Sequence, residues 1–319
     1  MDTSQLTVRV VRKQVEADGI CSFELADPDG APLPPFTAGS HIDVQIPGGF
    51  TRQYSLCNHP DERHRYVIAV LNDAQSRGGS RAMHEAVEEG STLQISAPRN
   101  HFPIKLDAPR HLLLAGGIGV TPMLCMAQCL ASEARAFAMH YCARSRERAA
   151  FIEQLGSAPY ADRVAFHFDD EDAAQKLDLH SLLADAGADV HLYVCGPKGF
   201  MDAVLETARR LGWAEDRLHY EFFAASVDTT GGAFEVKLAS SGKTVAVPAE
   251  QTVAEALAAA GIEVPVSCGQ GICGTCLVRV LEGEPDHRDL YLSPEEQARN
   301  DQFTPCCSRA KSHTLVLDL

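Results

Sequence analysis

The sequence predicts a multidomain chain: an antiparallel β-barrel domain, a doubly wound α/β domain, and a small α+β domain. Three observations carry this. Residues 1–104 are short β-rich runs broken by Pro, Gly and Asp, such as LTVRVVRKQVE, GICSFELAD, SHIDVQIPGG and RYVIAVLN, with one helical segment, SRAMHEAVEEG; this is the pattern of a small barrel. In residues 105–225 the pattern changes to apolar runs that each precede a helical stretch, HLLLAGGIG, AFAMHYCARS, VAFHFDD and DVHLYVCGP, as in a parallel sheet wrapped by helices. The polar stretch SVDTTGG (226–232) reads as a linker, and residues 233–319 open with a hairpin and an Ala-rich helix before four spaced cysteines.

Composition narrows the function. A chain of 319 residues fits two or three domains. A net charge of −15 excludes a nucleic-acid footprint and favours partners with basic patches. No run of 18 apolar residues is present, and the start MDTSQLTVRVVRKQ lacks a basic segment followed by an apolar one, so neither a membrane span nor a signal peptide is expected. The eleven cysteines then read as reduced thiols of a cytoplasmic protein rather than disulfides.

In the barrel, RQYSLCN (52–58) places Arg52, Tyr54 and Ser55 on one strand. A flavin needs an aromatic wall, a donor for its ring and a positive group near its phosphate, and these three residues supply those types. Ordinary barrel packing is the plainer reading of that segment alone. Farther on, Arg77, Gly78, Gly79, Ser80 and Arg81 open the helical segment. A helix N-terminus flanked by arginines binds anions, because free N–H groups and the dipole both favour negative charge; the alternative is a glycine turn with Ser80 as the helix cap.

In the α/β domain, HLLLAGGIGVTPM gives a strand, a glycine-rich turn and a helix start, with Gly117, Gly119, Thr121 and Pro122 in the turn. Pro122 stands where the dinucleotide fingerprint has its third glycine, so the match is partial. A second turn, Cys195, Gly196 and Pro197, ends another strand of the same sheet, where ligands of such folds sit; a small core residue is the dull alternative for Cys195. The loop CARSRER offers Arg144, Arg146 and Arg148 to a 2′-phosphate, whereas Asp169 and Asp170 offer acceptors to a ribose diol.

In the last domain, Cys268, Cys273, Cys276 and Cys306 are spaced C-x4-C-x2-C-x29-C. This is the ligand spacing of a plant-type 2Fe-2S cluster. Three thiolates must come from one tight loop, and the glycines of CGQGICGTC let backbone N–H groups turn toward the sulfurs. A zinc site is the bland alternative, though zinc sets usually pair two C-x2-C knuckles.

RQYSLCN, GGIGVTP, the CGP turn and the cysteine set, in this order, resemble the ferredoxin–NADP reductase superfamily. With the iron–sulfur domain last, the arrangement is similar to the phthalate dioxygenase reductase family, which includes vanillate O-demethylase reductase subunits. The resemblance implies FMN in the barrel, NADH in the α/β domain and the cluster in a β-grasp ferredoxin domain. It assigns Arg52, Tyr54 and Ser55 to the flavin ring, and Gly78, Gly79 and Ser80, flanked by Arg77 and Arg81, to its phosphate. Gly117, Gly119, Thr121 and Pro122 bind the nucleotide in that family, and Cys195, Gly196 and Pro197 face the nicotinamide. EFFAA (221–225) ends the α/β domain with an aromatic against the flavin, here Phe223, although Phe222 adjoins it. Family members generally use NADH and carry an acid near Asp169 and Asp170. Adjacent Cys306 and Cys307 compete as last ligand, and the spacing together with the following SRAKS aligns Cys306.

The implied activity is a monomeric, NADH-dependent reductase that splits an electron pair and feeds a terminal Rieske non-haem iron oxygenase acting on an aromatic substrate. No side chain is then needed as acid or base, and His41, His84 and His287 are expected to be structural. Two alternatives stand beside it: a general NADH:ferredoxin or acceptor reductase, and a redox-sensing iron–sulfur protein without enzymatic role. Flavin released from the purified protein is expected to chromatograph as FMN; recovery of FAD would overturn the assignment of residues 77–81 to a terminal phosphate.

Overall fold

The structure, a computed structural model, describes residues 5–74, 78–223, 228, 230–266 and 268–319. The chain separates into two compact units, Met1–Phe223 and Ala224–Leu319. Arg77 and part of the expected linker (226, 227 and 229) lie outside the described residues.

The first unit opens with β1 (Gln5–Ala17), β2 (Ile20–Ala26), β3 (Ser40–Ile46), β4 (Phe50–Ser55), β5 (Tyr66–Leu71), α1 (Gly79–Ala86), β6 (Thr92–Ser96) and the short β7 (Arg99–Asn100). Paired antiparallel in the order β4-β3-β6-β1-β2-β5, with β7 on β3, the strands curl until β4 and β5 touch. Period-2 alternation sets the inside face: Ile42, Val44 and Ile46 of β3 are buried. The helical expectation to Gly90 overran. Val87 is extended, and Glu88 and Ser91 close a turn through Ser91 N–H to the Glu88 carbonyl (3.0 Å) and Glu88 N–H to Ser91 Oγ (2.9 Å). A serine so placed competes with helix propagation.

The same unit continues through β8 (Arg110–Gly116), a 3₁₀ turn (Gly117–Gly119), α2 (Val120–Ser132), β9 (Ala136–Ala143), α3 (Ile152–Ser157), β10 (Val164–Phe168), α4 (Leu179–Asp185), β11 (Val190–Cys195), α5 (Lys198–Arg210) and β12 (Leu218–Glu221). Its sheet is parallel in the order β10-β9-β8-β11-β12. Helix α2 is apolar around most of its girth because one core encloses it together with barrel residues, whereas α4 and α5 cover the opposite sheet face through Leu183, Met201 and Val204. Strand β12, only four residues long and carrying His219 and Glu221, was not expected from the sequence; its pattern lacks the apolar run that marks its neighbours.

The second unit pairs β13 (Phe234–Leu238) with β14 (Thr244–Val247), then forms α6 (Val253–Ala259), β15 (Val278–Glu282), β16 (Pro285–Asp286), α7 (Pro294–Ala298), β17 (Gln302–Phe303), β18 (Arg309–Ala310) and β19 (Thr314–Leu317). The main sheet runs β14-β13-β19-β15-β17, with β13 and β19 parallel. Thr252 and Glu255 form a capping box at α6, an arrangement worth about 1 kcal/mol. Leu257, Val236, Phe303 and Leu315 fill the core beneath it.

Two imidazole pairs bridge neighbouring strands of the parallel sheet. His140 on β9 and His167 on β10 stack at 5.2 Å and share an N···N hydrogen bond of 2.9 Å; His191 on β11 and His219 on β12 stack at 5.3 Å with a bond of 3.0 Å. Burial, and then the facing ring, lower His140 and His219 to about 4. An unfolded histidine titrates near about 6.5. The unfolded chain therefore binds more protons between these values, and stability is lost as pH falls below about 6.5 toward 4. Urea unfolding followed by the fluorescence of Trp213, the only tryptophan, should show a midpoint that drops across this window, by on the order of 1 kcal/mol per partly solvated pair. His140→Gln should flatten the slope.

Candidate electron-transfer sites

Strand β4 lies antiparallel to β3, with Arg52 opposite Val44, Tyr54 opposite Ile42 and Ser55 opposite His41. The Arg52 side chain crosses the start of α1: its Nε stands 3.0 Å from where a Cβ on Gly79 would be. The strand motif and the glycine motif, remote in sequence, thus meet. Gly78 caps α1 with φ of 99°, while Ser80 lies inside the helix and its Oγ accepts from the Asp73 N–H at 3.2 Å; Ser80 is not the cap. Arg81 is exposed on the first turn. The Tyr54 hydroxyl is buried with no hydrogen-bond partner, and burial raises its pKa. A basic side chain over a helix start, a half-buried aromatic and a buried serine fit a flavin phosphate and ring.

The two nucleotide turns meet backbone to backbone. A Cβ on Gly119 would stand 2.2 Å from the Cys195 carbonyl oxygen, so only glycine permits this approach. The Thr121 hydroxyl donates to the Ile118 carbonyl at 3.0 Å, and Pro122 is buried in the first turn of α2. Gly196 and Pro197 follow Cys195, and Pro197 caps α5. Burial raises the Cys195 thiol pKa. Asp169 and Asp170 are exposed at the end of β10. Nearby, the Arg146 guanidinium lies 4.8 Å from the Phe168 ring centre and 3.7 Å from Glu171, and Arg148 pairs with Asp18 at 3.6 Å.

Strand β12 brings in a residue that sequence reasoning passed over. Glu221 sits opposite Cys195 in the sheet register, and the Ser55 hydroxyl donates to its carboxyl. Burial pushes this acid up to about 8, so it keeps its proton near neutrality. Its Oε2 has no partner, and its Oε1 lies 3.9 Å from Nδ1 of His41. An acid closing the otherwise aromatic run HYEFF was the available signal. Phe222 packs in the core beside Tyr220, whereas Phe223 is 37% exposed, which supports Phe223 as the ring-facing aromatic. A cavity of about 760 Å³ elsewhere in this unit, lined by Arg12, Ser22, Asn58, Gln128 and Arg146 among others, contains none of the residues of the expected flavin motif or glycine turns.

In the second unit the cysteine loop is wrapped around its own sulfurs. Gln270 N–H and Ile272 N–H point at Cys268 Sγ (3.3 and 3.5 Å), Gly271 N–H at Cys306 Sγ (3.3 Å) and Thr275 N–H at Cys273 Sγ (3.5 Å). Such donors stabilise thiolates. The thiols gather: Cys273 contacts Cys268, and Cys306 contacts Cys268, Cys276 and Cys307. Among the described residues, no three His, Cys, Asp or Glu are placed to share one metal ion. Cys307 also contacts Cys306, and its Sγ stands 2.3 Å from a notional Cβ on Gly271 and 3.2 Å from Thr304 Oγ1.

Comparison with known proteins decides the family. A vanillate O-demethylase oxidoreductase of Pseudomonas putida is 58% identical over 313 residues, 97% of this chain and 98% of its own. The chain belongs to the vanillate O-demethylase oxidoreductase and phthalate dioxygenase reductase family. A second vanillate O-demethylase oxidoreductase, from Pseudomonas sp. strain HR199, is 55% identical over 316 residues, covering 98% of this chain and 100% of its own. The solved structure of phthalate dioxygenase reductase, described as modular for electron transfer from pyridine nucleotides to 2Fe-2S, shares 41% identity at a TM-score of 0.78, covering 99% of this chain and 98% of that one. Residues 236–311 match the 2Fe-2S iron-sulfur cluster binding domain, and residues 96–218 the dimethylamine monooxygenase subunit DmmA-like N-terminal domain. The expected family and three-part fold class are therefore borne out, and the chain is an oxidoreductase of this reductase family. Within such a reductase, Cys306→Ser should abolish the visible absorption of the cluster and delivery to one-electron acceptors, while flavin bleaching by NADH survives. Cys307→Ser should spare the cluster; the reverse pattern would exchange the two assignments.

Proposed function

We propose that the chain oxidises NADH in the crevice bounded by Ser55, Cys195, Glu221 and Phe223. It then passes the electrons singly through Cys268, Cys273, Cys276 and Cys306 to the Rieske-type terminal component of an aromatic oxygenase or O-demethylase system. The meeting of Ser55, Glu221 and Cys195 at the ends of β4, β12 and β11 carries this reading. When bound, FMN supplies a ring that accepts a hydride and gives up electrons one at a time, and the 2Fe-2S cluster supplies a one-electron relay.

The residues do the positioning. Arg52, with Gly78, Gly79, Ser80 and Arg81 at the start of α1, holds the flavin phosphate, and Tyr54 walls the ring. Arg77 joins them by its place in the sequence. Gly117, Gly119, Thr121, Pro122, Gly196 and Pro197 shape the pyrophosphate and nicotinamide side of the crevice, and Cys195 limits how deep the nicotinamide sits. Glu221 holds a proton on its carboxyl beside Ser55. Catalysis by orientation of this kind asks little of acids and bases at the hydride step. Carriage of all three redox elements on one chain supports action as a monomer. The cysteines, free throughout, support a reducing, cytoplasmic setting. No helix among the described residues is long and apolar enough to cross a membrane.

Nucleotide choice follows from charge. Arg146 and Arg148 already face Glu171 and Asp18, which weakens their claim on a 2′-phosphate, while Asp169 and Asp170 repel one. Steady-state cytochrome c reduction should favour NADH over NADPH by at least about tenfold in kcat/KM, roughly 1.4 kcal/mol. Asp169→Ala or Asp170→Ala should narrow the gap. Equal efficiency with both nucleotides in the parent protein would sink the assignment.

A further inference from the structure

The second unit holds a buried carboxylate that neither hydride transfer nor the thiolate ligands call for. Asp289 lies between β16 and α7, and its side chain is fully buried. Its Oδ2 accepts from the Leu292 N–H at 2.8 Å, and its Oδ1 from the Ser308 hydroxyl at 3.2 Å. Both oxygens act as acceptors, which suits an ionised carboxylate. Among the described residues no lysine or arginine pairs with it. The neighbouring cations turn elsewhere: Arg288 to Asp286 and Asp228, and Arg309 to the carbonyls of Gln251, Gly232 and Pro248. His287 holds Nδ1 3.5 Å from Oδ1, yet neither ring nitrogen has a hydrogen-bond partner, so the ring donates nothing to the acid. A buried anion served by two neutral donors and no strong cation is costly. It calls for a role.

Its position supplies one. The N–H of the next residue, Leu290, donates to the Gly271 carbonyl at 2.9 Å, and the Gly271 N–H points at Cys306 Sγ at 3.3 Å. A Cβ on Gly271 would stand 3.0 Å from the Asp289 Cβ. On the other side Ser308, which donates to the carboxylate, follows Cys306 by two residues and shares a 3.0 Å hydrogen bond with Thr304. Asp289 is thus fixed between the cysteine loop and the turn that carries Cys306. We propose that Asp289 sets the reduction potential of the cluster by holding a fixed negative charge against it. Reduction brings one electron to the cluster, with no bond made or broken, and so adds one negative charge beside the carboxylate. A fixed anion in a poorly solvated place opposes that gain, and net charge is one of the quantities that set the potential of such clusters. The oxidised state is favoured, and the reduced state becomes a stronger one-electron donor to its acceptor.

The proposal rests on Cys268, Cys273, Cys276 and Cys306 holding a 2Fe-2S cluster, and the test separates the two. Asp289→Asn removes the charge and can keep the contacts: the amide oxygen accepts from Leu292, the amide N–H donates to Ser308, and the Ser308 hydroxyl turns to Thr304. In the full-length holoprotein, cluster reduction by dithionite is followed anaerobically by EPR. Asp289→Asn should move the midpoint to more positive potential by at least tenfold in the one-electron equilibrium constant, about 59 mV, with the EPR line shape unchanged. Ser308→Ala keeps the charge and removes one hydrogen bond, so its midpoint should stay within about threefold of the parent. An Asn variant with the parent midpoint, or a Ser308→Ala shift equal to that of Asp289→Asn, overturns the proposal. If Asp289→Asn loses its cluster, Asp289→Ser is judged by the same criterion. Loss of the cluster from both neutral variants overturns the proposal too, because the carboxylate then holds the fold rather than the potential. A parent protein that shows no cluster signal on reduction would instead refute the iron–sulfur reading.

Discussion

The backbone contact between Gly119 and the end of β11 is the constraint on which the nucleotide site depends. With a carbonyl oxygen 2.2 Å from the missing Cβ, the β8–α2 turn can sit against β11 only if position 119 has no side chain. That contact holds the end of β11, at the buried Cys195, against the turn. The sheet register then puts Glu221 beside Cys195, and Glu221 is close enough to take the Ser55 hydroxyl. A one-atom exclusion in one turn thus sets the position of groups drawn from β4, β11 and β12.

The electrostatics of this region are built from neutral forms. Glu221 keeps its proton, His41 loses its own, and the Tyr54 hydroxyl is pushed further from ionisation, each chiefly through burial. Charge is kept to the periphery, where Arg99 meets Asp43 and Arg146 meets Glu171. In a poorly solvated site fixed charges would bias one redox state strongly. A neutral lining leaves that balance to the bound cofactors.

Periodicity made most of the architecture legible. β3 and β6 alternate with period two, and β8 and β11 are the apolar runs of a covered parallel sheet. The motif with the most local geometry is the cysteine loop, which closes on itself with its N–H groups facing its own sulfurs. The juxtapositions were hidden. Nothing in RQYSLCN says that Arg52 lies across Gly79, or that Ser55 meets an acid from β12, because both depend on strand pairing over long separations. β12 itself was missed because four residues with alternating polarity give no apolar run, and α7 because its capping box, Ser293 to Glu296, precedes only a single turn and a half of helix. Which of Phe222 and Phe223 packs against the core is a question that two adjacent identical letters do not answer.

The order of strands in the second unit bears on how such a protein is made. β19 is the central strand of its sheet, yet it is the last of that unit in chain order, and it joins β13 to β15. As a ribosome extends the chain, the loop holding Cys268, Cys273 and Cys276 emerges while the sheet beneath it still lacks its middle. The fourth thiol, Cys306, comes only just before β19. Long-range strand pairing of this kind is slow to form, and unpaired strand edges expose nascent chains to misassembly. Completion of the scaffold beneath the cysteine loop is therefore tied to translation of β19, which supplies the middle of this sheet.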